Sequence, residues 1–168
     1  AKIHETNKHI YELLENLLTW SKSQRGNMTM NAIDFNLVAV IETNINILRL
    51  AAEKKDLTVD FGHNGVQTAF ADRDMISTVV RNLLNNAVKF TPNGKKIHVE
   101  IASSDSEHMV SIKDEGVGIS RENLERLFKI EDKFKTDGTD GEKGTGLGLI
   151  ICKEFVEKNG GTISAISA

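Results

Sequence analysis

Residues 144–149 read Gly-Thr-Gly-Leu-Gly-Leu, and an apolar helical pattern follows at once through Ile150, Ile151, Cys152 and Phe155. Glycine at every second position costs a regular element too much backbone entropy, so such a run must turn tightly or let something approach the backbone closely. A flexible linker does not explain it, because the interleaved leucines belong to a packed element. The run therefore opens a helix over 146–158, which Asn159-Gly160-Gly161 stops. Two other segments precede it in fixed order. The first is Asn82-Leu83-Leu84-Asn85-Asn86-Ala87-Val88-Lys89-Phe90, the second Asp114-Glu115-Gly116-Val117-Gly118-Ile119. Any fold for this chain has to give all three a purpose.

A chain of 168 residues is about one domain, and 39% hydrophobic with 27% charged residues is ordinary for a globular protein. The formal charge of -3 gives no electrostatic reason to expect nucleic acid or an anionic membrane as partner. No apolar run is long enough to cross a bilayer and no signal-peptide pattern is present, so no membrane contact by this chain is expected. Cys152 is the only cysteine, which excludes an intrachain disulfide and a cysteine metal cluster. Its apolar neighbours make it a small core residue, and a reducing, cytoplasmic setting fits this cysteine usage best.

Residues 1–25 form one helical pattern, with Ile3, Ile10 and Leu17 seven apart and Leu13, Leu18 and Trp20 widening the stripe. The stripe suits a helical bundle with a partner chain; docking on the rest of the domain is the alternative. After Gly26-Asn27 the pattern changes. A strand is expected over 28–33, with caps at Asp34 to Asn36, then a helix over 37–55. Strands follow over 57–61 and 66–71, joined by a glycine turn. Asp72 or Asp74 caps a helix reaching Phe90, and a hairpin spans 97–102 and 109–113. Ser120 caps a short helix through Phe128. Residues 129–143 form a loop of unusual length, and such loops are usually functional lids or disordered segments; a last strand covers 162–166. Strand hairpins mixed with separate helices predict an α+β fold: a two-layer sandwich with helices on one face of a mixed sheet.

Asn82 and Asn86, four apart on a helix, project from one face, and Lys89 lies near it. Neutral amides beside a lysine suit a magnesium ion that is already held by phosphate oxygens. A solvated polar face is the ordinary alternative, and it is the reading for Asn85. Asp114 at a strand end can accept a hydrogen bond from an exocyclic amine, and Gly116 and Gly118 let a planar base approach the backbone. This is not the dinucleotide fingerprint, because Arg121 stands where a third glycine belongs. Gly144, Gly146 and Gly148, with Lys143 before them, place free N–H groups at a helix start, an anion site for phosphates.

In order and spacing these segments resemble the N, G1 and G2 boxes of the sensor histidine kinases of two-component signalling, over roughly residues 28–166. The resemblance implies the Bergerat ATP-binding fold, with ATP and Mg2+ as ligands. It implies Asn86 as principal magnesium ligand with Asn82 in support, and Lys89 on phosphate, making Asn86 and Lys89 the catalytic pair. Asp114 would read the adenine amine, with Gly116, Gly118 and Ile119 shaping the base pocket. Phe128 would be the F-box aromatic, and Lys143, Gly144, Thr145, Gly146, Leu147 and Gly148 would hold the phosphates. Residues 13–24 resemble the second helix of the dimerisation and phosphotransfer hairpin.

That resemblance divides the chain into 1–27, part of the hairpin, and 28–168, the catalytic domain. It implies a homodimer through the N-terminal helix and a response-regulator receiver domain as partner, in a membrane-anchored bacterial parent working in the cytoplasm. Two departures stand out. The phosphoacceptor pattern of histidine, acidic residue and nearby proline is absent: His4-Glu5 has only its first half, and the one proline is Pro92. The family also continues past the last strand, so a fragment lacking the first hairpin helix and the final strand is expected. Related ATPases resembling gyrase or the heat-shock chaperones place a glutamate where Asn82 stands, which favours the kinase. A non-catalytic nucleotide-responsive module is the remaining alternative.

Overall fold

The computed structural model describes residues 29–65, 67–104, 107–129, 138–141 and 146–167, together with Leu14. The N-terminal helical pattern, the stretch 130–137, and Lys143, Gly144 and Thr145 lie outside the described residues. Among the described residues, five strands and four helices follow in chain order: β1 (Ala32–Asn36), α1 (Leu37–Lys54), β2 (Thr58–Gly62), β3 (Thr68–Asp72), α2 (Arg73–Phe90), β4 (Lys96–Ser103), β5 (His108–Asp114), α3 (Arg121–Arg126) and α4 (Gly148–Lys158).

Local chemistry sets most of these boundaries. Asn36 starts α1 by accepting the Ala39 N–H at 3.2 Å, and Ser120 starts α3 by accepting that of Asn123 at 3.4 Å. Asp72 starts α2 with Oδ1, which accepts from Asp74 and Met75, while Oδ2 holds the Asn31 N–H at 2.9 Å. The end of α1 is a Schellman motif without glycine. Asp56 takes the left-handed conformation (φ 51°). The Asp56 N–H donates to Glu53 O and the Leu57 N–H to Ala52 O, at 3.0 and 2.9 Å. Buried Leu57 follows, and Lys55, just before the reversal, is turned inward.

β2, β4 and β5 form one mixed sheet in that order, parallel between β2 and β4 and antiparallel between β4 and β5. The parallel step needs a crossover, and α2 lies within it. β4 alternates buried Ile97, Val99 and Ile101 with exposed His98, Glu100 and Ala102. Its inner face and α1 share one core with Val80, Leu84, Ala87 and Val88 of α2. α1 and α2 thus cover a single face of the sheet, the two-layer α+β arrangement expected. β1 and β3 make a separate antiparallel pair. A second core, Met75 and Val79 with Ile151, Cys152 and Phe155, packs α4 onto the other side of α2.

Three boundaries differ from expectation. β1 begins four residues later than the strand expected over 28–33, because Ala32 to Asn36 is the stretch that finds a partner, from Asp72 back to Thr68. α4 begins at Gly148 rather than Gly146, whose positive φ of 75° excludes it from the helix. Residues 162–166 form no strand. A strand exists only through its ladder, and this stretch makes none with β5; Ile163 packs on the second core while Ile166 stays 96% exposed.

Candidate nucleotide-binding site

The site is organised by the C-terminal half of α2. Two apolar faces clamp this helix, one toward the sheet and one toward α4, and the stripe Asn82, Asn86 and Lys89 runs between them, half-buried, while Asn85 is exposed. An α-helix leaves its last four carbonyls without internal partners. In α2 each receives a specific donor. Ala87 O accepts from the Thr91 N–H at 3.1 Å and its hydroxyl at 2.6 Å. Val88 O accepts from Lys55 Nζ at 3.0 Å. Lys89 O accepts from Lys55 Nζ at 3.2 Å and from the Thr139 N–H at 3.1 Å. Phe90 O accepts from the Val117 N–H at 3.2 Å.

That last bond plugs the glycine turn after β5 into the end of α2. Asp114 closes β5 with an exposed carboxylate, and its Oδ1 accepts the Gly116 N–H at 2.9 Å. Its other oxygen bonds to no group among the described residues. A Cβ at Gly116 would fall on that carboxylate and lie 2.8 Å from Phe90 O, so only glycine fits the turn. Gly118 is left-handed at φ 71°. Ile119, 36% exposed, is held by its N–H on the Ser167 hydroxyl at 2.8 Å. Val117 is 67% exposed. An aminated planar ring could lie against this turn with its amine on Asp114.

On the other side, α4 runs antiparallel to α2. Asn159, at its end, accepts the Asp72 N–H at 2.7 Å, while Gly148, at its start, lies beside Asn82. A Cβ at Gly148 would sit 3.3 Å from Asn82 Oδ1, tighter than most real contacts. Leu147 precedes the helix without a side-chain cap, and the dipole at such a helix start favours an anion. The Cys152 thiol donates to Val79 O at 3.8 Å, and burial pushes its pKa up from 9.0 to about 12, against a smaller lowering by the Asn82 amide. Cys152 is fully buried and unreactive, as its apolar setting in the sequence implies. Lys89 Nζ lies 4.7 Å from the centroid of the Phe90 ring, and Phe128 is half-buried.

Among the described residues no trio of His, Cys, Asp or Glu is placed to hold a metal, so a cation here depends on Asn amides and ligand oxygens. That donor set fits magnesium bound chiefly through phosphates. Nor is any described helix long and apolar enough to cross a membrane. Of the residues singled out in the sequence, Asn82, Asn86 and Lys89 lie along the C-terminal half of α2, the turn holding Asp114 and Gly116 meets its last carbonyl, and Gly148 meets Asn82. Lys55, Thr91 and Thr139 were not anticipated. Lys54-Lys55 at a helix end reads as an ordinary solvated C-terminal charge, and no local pattern tells which lysine turns inward.

The family model for histidine kinase-, DNA gyrase B- and HSP90-like ATPases matches residues 71–168. The chain belongs to this family. Within it, the chain groups with the ATP-binding catalytic domains of sensor histidine kinases. It is 33% identical over 169 residues to the sensor protein KdpD of Clostridium acetobutylicum, covering 98% of this chain and 18% of that protein. Over 167 residues it is 29% identical to the sensor protein SrrB of Staphylococcus aureus, covering 99% and 29%. The chain therefore spans less than a third of the length of these curated relatives. Its fold matches the catalytic domain of the histidine kinase ThkA at a TM-score of 0.68 and 30% identity, covering 77% of this chain and 82% of that one. It also matches ThkA in complex with the response regulator protein TrrA, at TM-score 0.69 and 24% identity, covering 90% and 43%.

Proposed function

We propose that this histidine kinase-like ATPase domain binds Mg-ATP and passes its γ-phosphoryl group to a histidine nitrogen on a hairpin helix outside the chain. A response-regulator receiver aspartate then takes the group from that histidine. The observation that carries this reading is the convergence on the C-terminal half of one helix of an amide and lysine stripe, a carboxylate–glycine turn and an uncapped helix start. Asp114 reads the adenine amine. Asn86, with Asn82 beside it, faces a magnesium ion that would neutralise phosphate charge, and Lys89 and the first amides of α4 meet the phosphates. Gly144, Thr145 and Lys143 complete that cradle. In the transfer, the imidazole nitrogen forms a bond to the γ-phosphorus while the bond to the β,γ-bridging oxygen breaks, leaving ADP. The protein contributes position and charge rather than a covalent intermediate.

The parent is a homodimer joined through the N-terminal helix, membrane-anchored, with this domain in the cytoplasm where ATP is available. The ThkA–TrrA complex supports a receiver domain as the partner. A water-activating ATPase is the rival, and it lacks its base, because Asn82 is an amide.

Incubation with γ-labelled ATP and a separately supplied hairpin of the parent kinase decides the matter. An acid-labile, base-stable label on the hairpin is expected, and none on the chain itself. The transfer should be slow, because a detached acceptor loses the effective concentration of a tether. Stoichiometric label on His4 or His9, or sustained phosphate release with no label on the hairpin, would overturn it.

A further inference from the structure

Lys55 is only 5% exposed, yet no sequence motif claims it. Burying an ammonium is costly unless its donors are matched. Here they are: Nζ reaches Val88 O at 3.0 Å, Lys89 O at 3.2 Å and the Thr139 hydroxyl at 2.6 Å. The two carbonyls lie at the negative end of α2, where a cation is favoured. Thr139 is held to the same helix end by its own backbone. Its N–H donates to Lys89 O at 3.1 Å, and its hydroxyl, accepting from Lys55, can donate to Lys89 O at 3.1 Å or to Thr91 O at 3.3 Å. One ammonium therefore fastens residues 138–141 to the peptide of Lys89.

We propose that Lys55 is a positioning residue for the phosphate side of the site, latching residues 138–141 through Thr139 to the last turn of α2. The proposal rests on the nucleotide reading above. The division of carbonyls makes it specific. Val88 O and Lys89 O, at the turn that carries Asn86 and Lys89, belong to the latch. Phe90 O belongs to the adenine turn through Val117, with no bond to Lys55 or Thr139. Losing the latch disturbs groups that meet phosphates and leaves the base pocket standing. The Schellman reversal at Asp56 is what aims Lys55 into this position, so the end of α1 sets the geometry at the end of α2.

The test uses the whole chain with Thr139→Val, Thr139→Ser and Lys55→Met, the last keeping most of the alkyl stem. Two quantities are measured: exchange of the Thr139 amide without nucleotide, and affinity for Mg-ATP against adenosine. Thr139→Val and Lys55→Met should each speed that exchange. Each should weaken Mg-ATP about tenfold, the worth of one hydrogen bond to a charged group, with adenosine changed less than about twofold. Thr139→Ser should behave as wild type. The double variant should lose no more than Lys55→Met, because the two residues act through one contact. Equal losses for adenosine and Mg-ATP, a Ser variant as poor as Val, tighter Mg-ATP binding, or unchanged exchange would each overturn the latch. Thr139 is exposed, so its variants fold even if Lys55→Met does not. Failure of the wild type to bind Mg-ATP would sink the nucleotide reading instead, and the exchange rates would still report whether Lys55 holds Thr139.

Discussion

Gly116 is where one methyl group does most harm, since its neighbours there are the Asp114 carboxylate and the Phe90 backbone carbonyl. Gly116→Ala should cost about 1–3 kcal/mol in urea unfolding and abolish adenine binding, because backbone must move to admit it. Asp114→Asn separates the two effects. Its amide oxygen can still accept the Gly116 N–H, so stability should change by less than about 0.5 kcal/mol, while its NH2 group opposes the base amine. ATP affinity equal to wild type in a titration would remove Asp114 from its role. Cys152 makes a different prediction. Its folded pKa of about 12 lies above its ordinary 9.0, so between those values the unfolded chain loses a proton that the folded chain keeps. Stability should be full below pH 9 and fall above it, with a slope approaching about 1.4 kcal/mol per pH unit. Cys152→Ala should flatten that slope in unfolding curves between pH 8 and 10.5, at some cost in baseline stability.

Among the elements, α2 is the one on which the rest is hung. It has two apolar faces because it packs on the sheet and on α4, and the polar stripe between them is what remains. Asn85 and Asn86 are adjacent on it, with equal helix propensity, but Asn85 is exposed and Asn86 half-buried on the site side. Asn86→Ala should therefore abolish the magnesium dependence of ATP binding, and Asn85→Ala should leave it intact. Identical behaviour in titrations with and without magnesium would show that the stripe is placed on the wrong face. The antiparallel setting of α4 is fixed at one end by Asn159 on Asp72 and at the other by Gly148 against Asn82. That setting points an uncapped helix start at the stripe.

At the scale of the whole molecule, two cores meet along α2 while the groups proposed to meet the nucleotide come from segments far apart in the chain. A ligand bridging the adenine turn, the stripe and the start of α4 binds only the folded form. Mg-ATP at a hundred times its dissociation constant should raise unfolding stability by about 2.7 kcal/mol. Adenosine, which touches the turn alone, should stabilise less at equal concentration. Thermal unfolding with each ligand checks this, and equal shifts at equal concentration would argue against a phosphate site built from α2 and α4.

The helices were legible because their signals are short-range. Asn36, Asp72 and Ser120 each satisfy amides within three residues, and apolar periodicity repeats within a turn, so α1, α2 and the start of α3 follow from local chemistry. The three motifs were legible for the same reason: each is a compact set of residue types with one backbone requirement. The sequence alone thus determined the fold class, the spans of α1 and α2 and the three motifs on which the proposed site rests. The tertiary structure alone decided which strands pair, so β1 moved and residues 162–166 stayed out of the sheet. It also decided which lysine of a Lys-Lys pair is buried. Lys55 and Thr139 stand 84 positions apart and meet because α2 ends with carbonyls that need donors. That demand can be read from any helix end, but which distant groups meet it is settled only when the elements pack.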